Sequence, residues 1–160
     1  MAALFGTRRY VDPELGELKR SGPCWEVELT IQGSGRVHAD LHGTRRTPDE
    51  AALSIAQELP GRYGGLEPAV QDALFENYLP YRIAAEEGET HVVQPFPQIT
   101  DPADVWQRVR LWGVRIEPLT GQPIGDQPTL ELVYEVDWDH DHLVGVRMQE
   151  WRVWEVCGSA

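Results

Sequence analysis

Apolar and polar residues alternate across the N-terminal part of the chain. Trp25, Val27, Leu29 and Ile31 interleave with Glu26, Glu28, Thr30 and Gln32. Val37, Ala39 and Leu41 resume the pattern after Gln32-Gly33-Ser34-Gly35. A period of two places one face of each strand in a core and the other in water. The stretch is therefore expected as two antiparallel strands joined by a Gly-rich hairpin. Upstream, Gly16-Glu17-Leu18-Lys19 adds a short strand that Ser21-Gly22-Pro23 turns into the next.

The period then changes. Ala51, Ala52, Ile55, Ala56 and Leu59 recur at helical steps behind Thr47-Pro48-Asp49-Glu50. That opening offers a hydroxyl cap, a proline at the first helical position and a glutamate placed to close a capping box. Pro60-Gly61 is expected to end this helix, with Tyr63-Gly64-Gly65 as a connection. A second helix is expected from about Glu67, because Leu66, Val70, Ala73, Leu74 and Tyr78 form one apolar face. Pro80 should kink or end it, with a short continuation from Tyr81 to Glu87. Pro95 and Pro97 make Thr90 to Ile99 an irregular crossing. Thr100-Asp101-Pro102-Ala103-Asp104 opens a short third helix through about Arg110, which Gly113 ends. Val114–Leu119 is expected as a strand and the residues from Thr120 to Pro128 as a loop.

Alternation returns at the C-terminal end. Leu130, Leu132, Tyr134, Val136 and Trp138 share one face, and Glu131, Val133, Glu135 and Asp137 the other. Val144, Val146 and Met148 form the next strand, Gln149-Glu150 a tight turn, and Trp151–Val156 the return. The order of elements predicts an α+β fold: an antiparallel sheet, made of the N-terminal hairpin and the C-terminal strands, packed against two or three helices. It is not a βαβα order, which argues against a doubly wound nucleotide-binding fold.

The chain has 160 residues, 41% hydrophobic and 25% charged. One domain spanning residues 1–160 is expected, long enough to bury its own core. No apolar run is long enough to span a bilayer. The start, Met1-Ala2-Ala3-Leu4-Phe5-Gly6 followed by Arg8 and Arg9, lacks the pattern of an export signal. A cytoplasmic location is expected, with Cys24 and Cys157 as reduced, small buried hydrophobes. The net charge of −12 repels phosphate backbones and anionic membranes, so neither nucleic acid nor a membrane is an expected partner. It attracts a cation or a basic protein, and it equally serves solubility. Oligomeric state is left open.

The densest chemistry is at Asp137-Trp138-Asp139-His140-Asp141-His142. Aspartates at alternate positions resemble the start of a calcium loop. Counted from Asp137, however, the required Gly and Glu positions hold His142 and Met148. His140 and His142, two apart in an extended chain, point to one side. They could grip one divalent transition metal, with Asp139 or a distant carboxylate completing the shell and His38 or His42 as the candidate ligands from outside the turn. The alternative is a polar turn in which aspartates cap backbone amides. No catalytic constellation accompanies it. Gly33-Ser34-Gly35 lies in a hairpin and lacks the spacing of a nucleophile elbow. Glu135 and Asp137 share a strand face that is ordinarily solvated. Trp151 and Trp154 are expected on opposite faces of their strand. One of them is then either a contact residue for a partner or packed against neighbouring elements.

Two segments carry a resemblance. Asp12-Pro13-Glu14-Leu15-Gly16-Glu17-Leu18 leads to Trp25, and Trp138-Asp139-His140-Asp141-His142 leads to Val144-Gly145-Val146-Arg147. Together they resemble a family of bacterial domains of unknown function. That family has an N-terminal D-P-x-F-G-x-L then W-x-G pattern and a C-terminal W-D-x-E-H-G-(L/V)-G-(I/V) pattern. Leu15 stands for the Phe, Glu26-Val27 for the residues after the Trp, Asp141 for the Glu and Leu143 for the Gly. Trp138, Asp139, His142, Gly145 and Val146 match. The resemblance brings no activity; it implies an association with toxin-neutralising immunity proteins and their relatives. The expected function is a non-enzymatic protein-binding module for a basic partner. Its contact residues are expected among Asp137, Trp138, Asp139, Asp141, Trp151 and Trp154. The alternative is a metal-binding protein or metal-dependent enzyme using the Asp137–His142 turn.

Overall fold

Eight strands pair in sequence order into one sheet in a computed structural model that describes residues 7–159. They are β1 (Arg9–Asp12), β2 (Gly16–Ser21), β3 (Cys24–Ile31), β4 (Gly35–His42), β5 (Val109–Glu117), β6 (Thr129–Val136), β7 (Asp139–Gln149) and β8 (Arg152–Ser159). The alternating residues of β3 and β4 pair as expected, with Val27 opposite Ala39 and Leu29 opposite Val37. Ile31 and Gly35 flank their hairpin, and Gly33 (φ 83°) and Gly35 (φ 74°) take left-handed conformations that side-chain-bearing residues avoid. The residues read for an export signal, 1–6, lie outside those described.

Every neighbouring pair is antiparallel except β4 and β5, which run parallel. A parallel pair needs a crossover, and one helix, α1 (Glu50–Glu86), supplies most of it. The expectation of a sheet against two or three helices is corrected: the described residues form one long helix and one short 3-10 helix (Pro102–Gln107). Helix α1 runs for 37 residues through Pro60, Pro68 and Pro80 and past Gly61, Gly64 and Gly65. Each interior proline costs about 3 kcal/mol relative to alanine. The apolar face overrides them because its spacing never breaks. Ala52, Ala56, Leu59, Tyr63, Leu66, Val70, Ala73, Leu74 and Tyr78 are all buried against the sheet. Each large side chain so buried contributes roughly 1.5–3 kcal/mol.

The expected cap is also replaced. Asp49 holds the N-cap position without a side-chain cap. Its Oδ2 lies 2.6 Å from His42 Nδ1 instead. Thr47 belongs to a turn around Thr44, whose Oγ1 accepts from the Thr47 amide at 3.1 Å. The third helix shrinks to the 3-10 turn, capped by Asp101 Oδ1 from the Ala103 amide at 2.9 Å. Strand β5 starts five residues earlier than expected and carries Gly113 inside it. A bulge at Leu111/Gly113 pushes Trp112 outward, 47% exposed.

The inner face of the sheet and α1 enclose the core. Tyr78 anchors its far end: it stacks on Phe75 and Phe96 and meets Trp138 edge-on at 5.4 Å. Its hydroxyl donates to the Pro97 carbonyl at 2.8 Å and accepts from the Ile99 amide at 3.0 Å. That ties the irregular segment after α1 to the helix. Among the described residues no helix is long and apolar enough to cross a membrane.

Candidate functional site

The sequence placed its densest chemistry at the β6–β7 reversal. Asp137 and Trp138 make the turn, and Asp139 to His142 already belong to β7. Asp139 organises this end. Its Oδ1 accepts from the amides of Asp141 (3.0 Å) and His142 (3.2 Å). Its Oδ2 accepts from the Tyr81 hydroxyl at 2.8 Å and lies 3.0 Å from His142 Nδ1. Burial alone would raise the Asp139 pKa. The Tyr81 hydroxyl, the Asp141 amide and His142 outweigh it and hold the carboxyl below its ordinary value. The same burial, then the neighbouring Asp139, pushes Tyr81 up to about 12.

The remaining candidates scatter. Trp138 is fully buried and its Nε1 donates to Asn77 Oδ1 at 2.9 Å. A partner meeting this turn would touch Asp137, His140 and Asp141, which are exposed, and not the indole. Asp137 pairs with Arg108 at 3.6 Å. His38 and His42 do not reach the turn. His38 lies beside Gly113 on β5 and pairs with Asp40 at 3.0 Å, and His42 is held by Asp49. Among the described residues, the side chains close enough together to hold an ion are Glu26, His38 and Asp40, on the solvent-facing side of β3 and β4. Trp151 is half-buried, with the Arg62 guanidinium 4.7 Å from its ring centre. Trp154 is half-buried too, and its Nε1 is enclosed with no hydrogen-bond partner among the described residues. The well-exposed tryptophan is Trp112. Cys24 and Cys157 are free and half-buried, four or more strands apart, and burial pushes both thiols up.

A different place offers an unfilled volume with polar groups turned toward it. At the β3–β4 hairpin end of the sheet a cavity of about 430 Å³ opens between α1, the 3-10 helix and the start of β5. Ser34, Tyr63, Glu67, Trp106, Arg110 and Tyr134 help to line it. The Tyr63 and Tyr134 hydroxyls meet at 2.8 Å, buried beneath the opening. Desolvation, chiefly, raises both phenols, Tyr134 well above its ordinary value, so both stay protonated. Trp106 stands edge-on to Tyr134 at 6.4 Å, fixed by its Nε1 donating to Gln71 Oε1 at 3.0 Å. Arg110 is held by Glu135 at 2.7 Å. One trace of this place is legible in the residues: Tyr63 fits the apolar step of α1 and Tyr134 the inner face of β6. Reading Tyr63-Gly64-Gly65 as a connection removed Tyr63 from the core.

On the outer face a buried carboxylate, Glu131, sits between Arg147 (2.6 Å) and Arg115 (3.5 Å). Arg147 also reaches Glu155 at 2.6 Å. Gly145 leaves room for it, since a Cβ there would lie 2.9 Å from Glu131 Cδ.

A family model described as a domain of unknown function, DUF6985, matches residues 14–159. The chain belongs to the DUF6985 family. The match takes in both segments of the expected resemblance except Asp12 and Pro13, and it agrees with a domain-of-unknown-function assignment. No curated protein and no solved structure matches the chain. Within this DUF6985 domain, Asp139, Trp138 and Gly145 have structural work: they close the β6–β7 turn, fill the core and clear space for Glu131.

Proposed function

We propose that this DUF6985 protein is a non-enzymatic binding module that takes a basic protein partner, in the manner of a toxin-neutralising immunity protein. One observation carries the reading: charge is segregated. On the outer face of the sheet many acids are matched by bases in cross-strand pairs such as Arg36–Glu28, Arg110–Glu135 and Arg147–Glu131, while Glu26 and Asp40 gather around His38. The helical crossover is different. Between residues 50 and 104 there are ten carboxylates and two arginines, which make up two-thirds of the net charge of −12. Glu50, Glu67, Asp72, Glu76, Glu87 and Glu89 are among those exposed. A face of one sign raises the local concentration of an oppositely charged partner and speeds its association.

The metal reading of the Asp137–His142 turn is not carried further. Asp139 and His142 meet there, but among the described residues no third ligand joins them. The test is a quadruple variant, Glu50→Gln, Asp72→Asn, Glu76→Gln, Glu87→Gln, compared with the unaltered protein for capture of basic proteins from the native host. A specific basic protein retained by the unaltered chain and released by the variant or by moderate salt supports the reading. Equal retention by both forms, or retention of acidic proteins only, overturns it.

A further inference from the structure

We propose that the cavity between Tyr63, Trp106 and Tyr134 is a site for an organic cation, an alkylammonium carried by a small free amine or by a lysine side chain. This does not rest on the acidic helix face binding a protein; it stands on the cavity. Its volume, about 430 Å³, falls in the range of small-molecule sites. Three of its lining residues are aromatic, and the negative faces of such rings attract an ammonium once water is displaced.

The charges select the sign of the guest. Arg110 is spent on Glu135, whose carboxylate takes both its Nε (2.9 Å) and Nη2 (2.7 Å). Glu67 forms no ion pair with any described residue. The uncompensated charge at the rim is therefore negative, and an anionic guest would meet it along with the overall acidic field. Beneath, the phenol pair is neutral. One hydroxyl donates to the other, so the pair keeps oxygen lone pairs that accept from an N–H donor. Ser34, from the β3–β4 hairpin, adds a hydroxyl at the same level. Carboxylate at the rim, aromatic walls and hydroxyl acceptors at the base suit an ammonium head with a short aliphatic tail.

The experiment is calorimetric titration of the full chain with cadaverine and with Nα-acetyl-lysine methylamide. 1-Pentanol and glutarate serve as the neutral and anionic probes. A backbone-amide NMR map locates the binding. The expected result is saturable binding of an amine in the millimolar range or tighter, with shifts centred on Ser34, Glu67 and Arg110. Glu67→Gln should weaken it by about tenfold or more, and Glu87→Gln, elsewhere on the acidic surface, by less than about twofold. Tighter cadaverine identifies a free amine as the guest, and tighter acetyl-lysine methylamide a lysine side chain. Glu67 is exposed, so its variant keeps the fold, which circular dichroism verifies. The proposal is overturned if neither amine saturates, if the shifts lie away from the cavity, if Glu67→Gln and Glu87→Gln behave alike, or if pentanol or glutarate binds as well as the amines.

Discussion

Two tyrosines of α1 end in buried or half-buried hydrogen bonds to side chains of the sheet, and they show what separates architecture from a place for a guest. Tyr81 donates to Asp139, whose two oxygens also serve the Asp141 and His142 amides and the His142 ring. The acceptors are used up, and the group closes the β6–β7 turn against the helix. Tyr63 meets another phenol, Tyr134, at 2.8 Å under an open volume. Both ends involve one helix residue and one sheet residue. The first has nothing left to offer and the second has. Buried polar groups are normally satisfied, so a buried pair with spare acceptors beside a cavity is the better candidate for binding.

The comparison is sharpest where the closed end is taken apart. Trp138→Ala should cost the most, about 3–5 kcal/mol, because it empties a fully buried position and strands Asn77. Urea unfolding measures it; a loss below about 1 kcal/mol would mean that the turn is not part of the core. Asp139→Ala follows, at roughly 1–3 kcal/mol, since it leaves the Tyr81 hydroxyl and two amides without their acceptor. Its pH dependence has a defined sign. The folded pKa lies below the ordinary carboxylate value. The stabilisation is therefore complete above about pH 4, the unfolded pKa, and is lost as pH falls through the lower folded value. The unaltered protein should lose more stability than Asp139→Ala on acidification across that window. Parallel curves would remove Asp139 from its organising role.

Glu131 is a second closed group, and Gly145 is the device that admits it. A Cβ at residue 145 would lie 2.9 Å from Glu131 Cδ and 3.1 Å from Oε1. Gly145→Ala should displace the carboxylate from Arg147 and cost about 1–3 kcal/mol, as overpacking does. Gly145→Ala combined with Glu131→Gln should cost less than the two changes summed, because the crowding and the ion pair share one atom group. Strict additivity in thermal unfolding would show that the glycine serves something else.

Much of this was readable from the residues. The alternation from Trp25 to Leu41 and from Leu130 to Met148 specified strands and their inner buried faces, but β6 is buried on its other face too, at Glu131 and Val133. Local signals failed where tertiary burial outweighed them. Pro60-Gly61 and Gly64-Gly65 look like breaks. The step from Leu59 to Tyr63 to Leu66 continues across them, and the sheet holds the helix together. The parallel β4–β5 pair follows from that continuous crossover, so reading two helices hid the topology too. The turn from Asp137 to His142 was conspicuous for its composition, yet its aspartate caps amides and its indole fills the core. The Tyr63–Tyr134 contact joins residues 71 apart in sequence. Neither tyrosine sits in a motif, so no spacing could have paired them.

The smallest expected effect bears most directly on the open end. Tyr63→Phe leaves the hydroxyl of Tyr134, a residue 1% exposed, without its partner, and Tyr134→Phe leaves the Tyr63 hydroxyl with Ser34 alone. Either change should cost about 1 kcal/mol. Removing both hydroxyls leaves no orphan, and the surfaces exposed are apolar rings of unchanged shape. The double variant should then be no less stable than either single one, with a coupling of about 0.5–1 kcal/mol in urea unfolding. That outcome would mean the pair adds little to the fold beyond satisfying itself. A hydroxyl pair of that kind, set in the wall of a cavity, is explained by what it presents to a guest. A double variant as costly as the two single changes summed would make the pair an ordinary structural bond, and the contrast with Tyr81 and Asp139 would disappear.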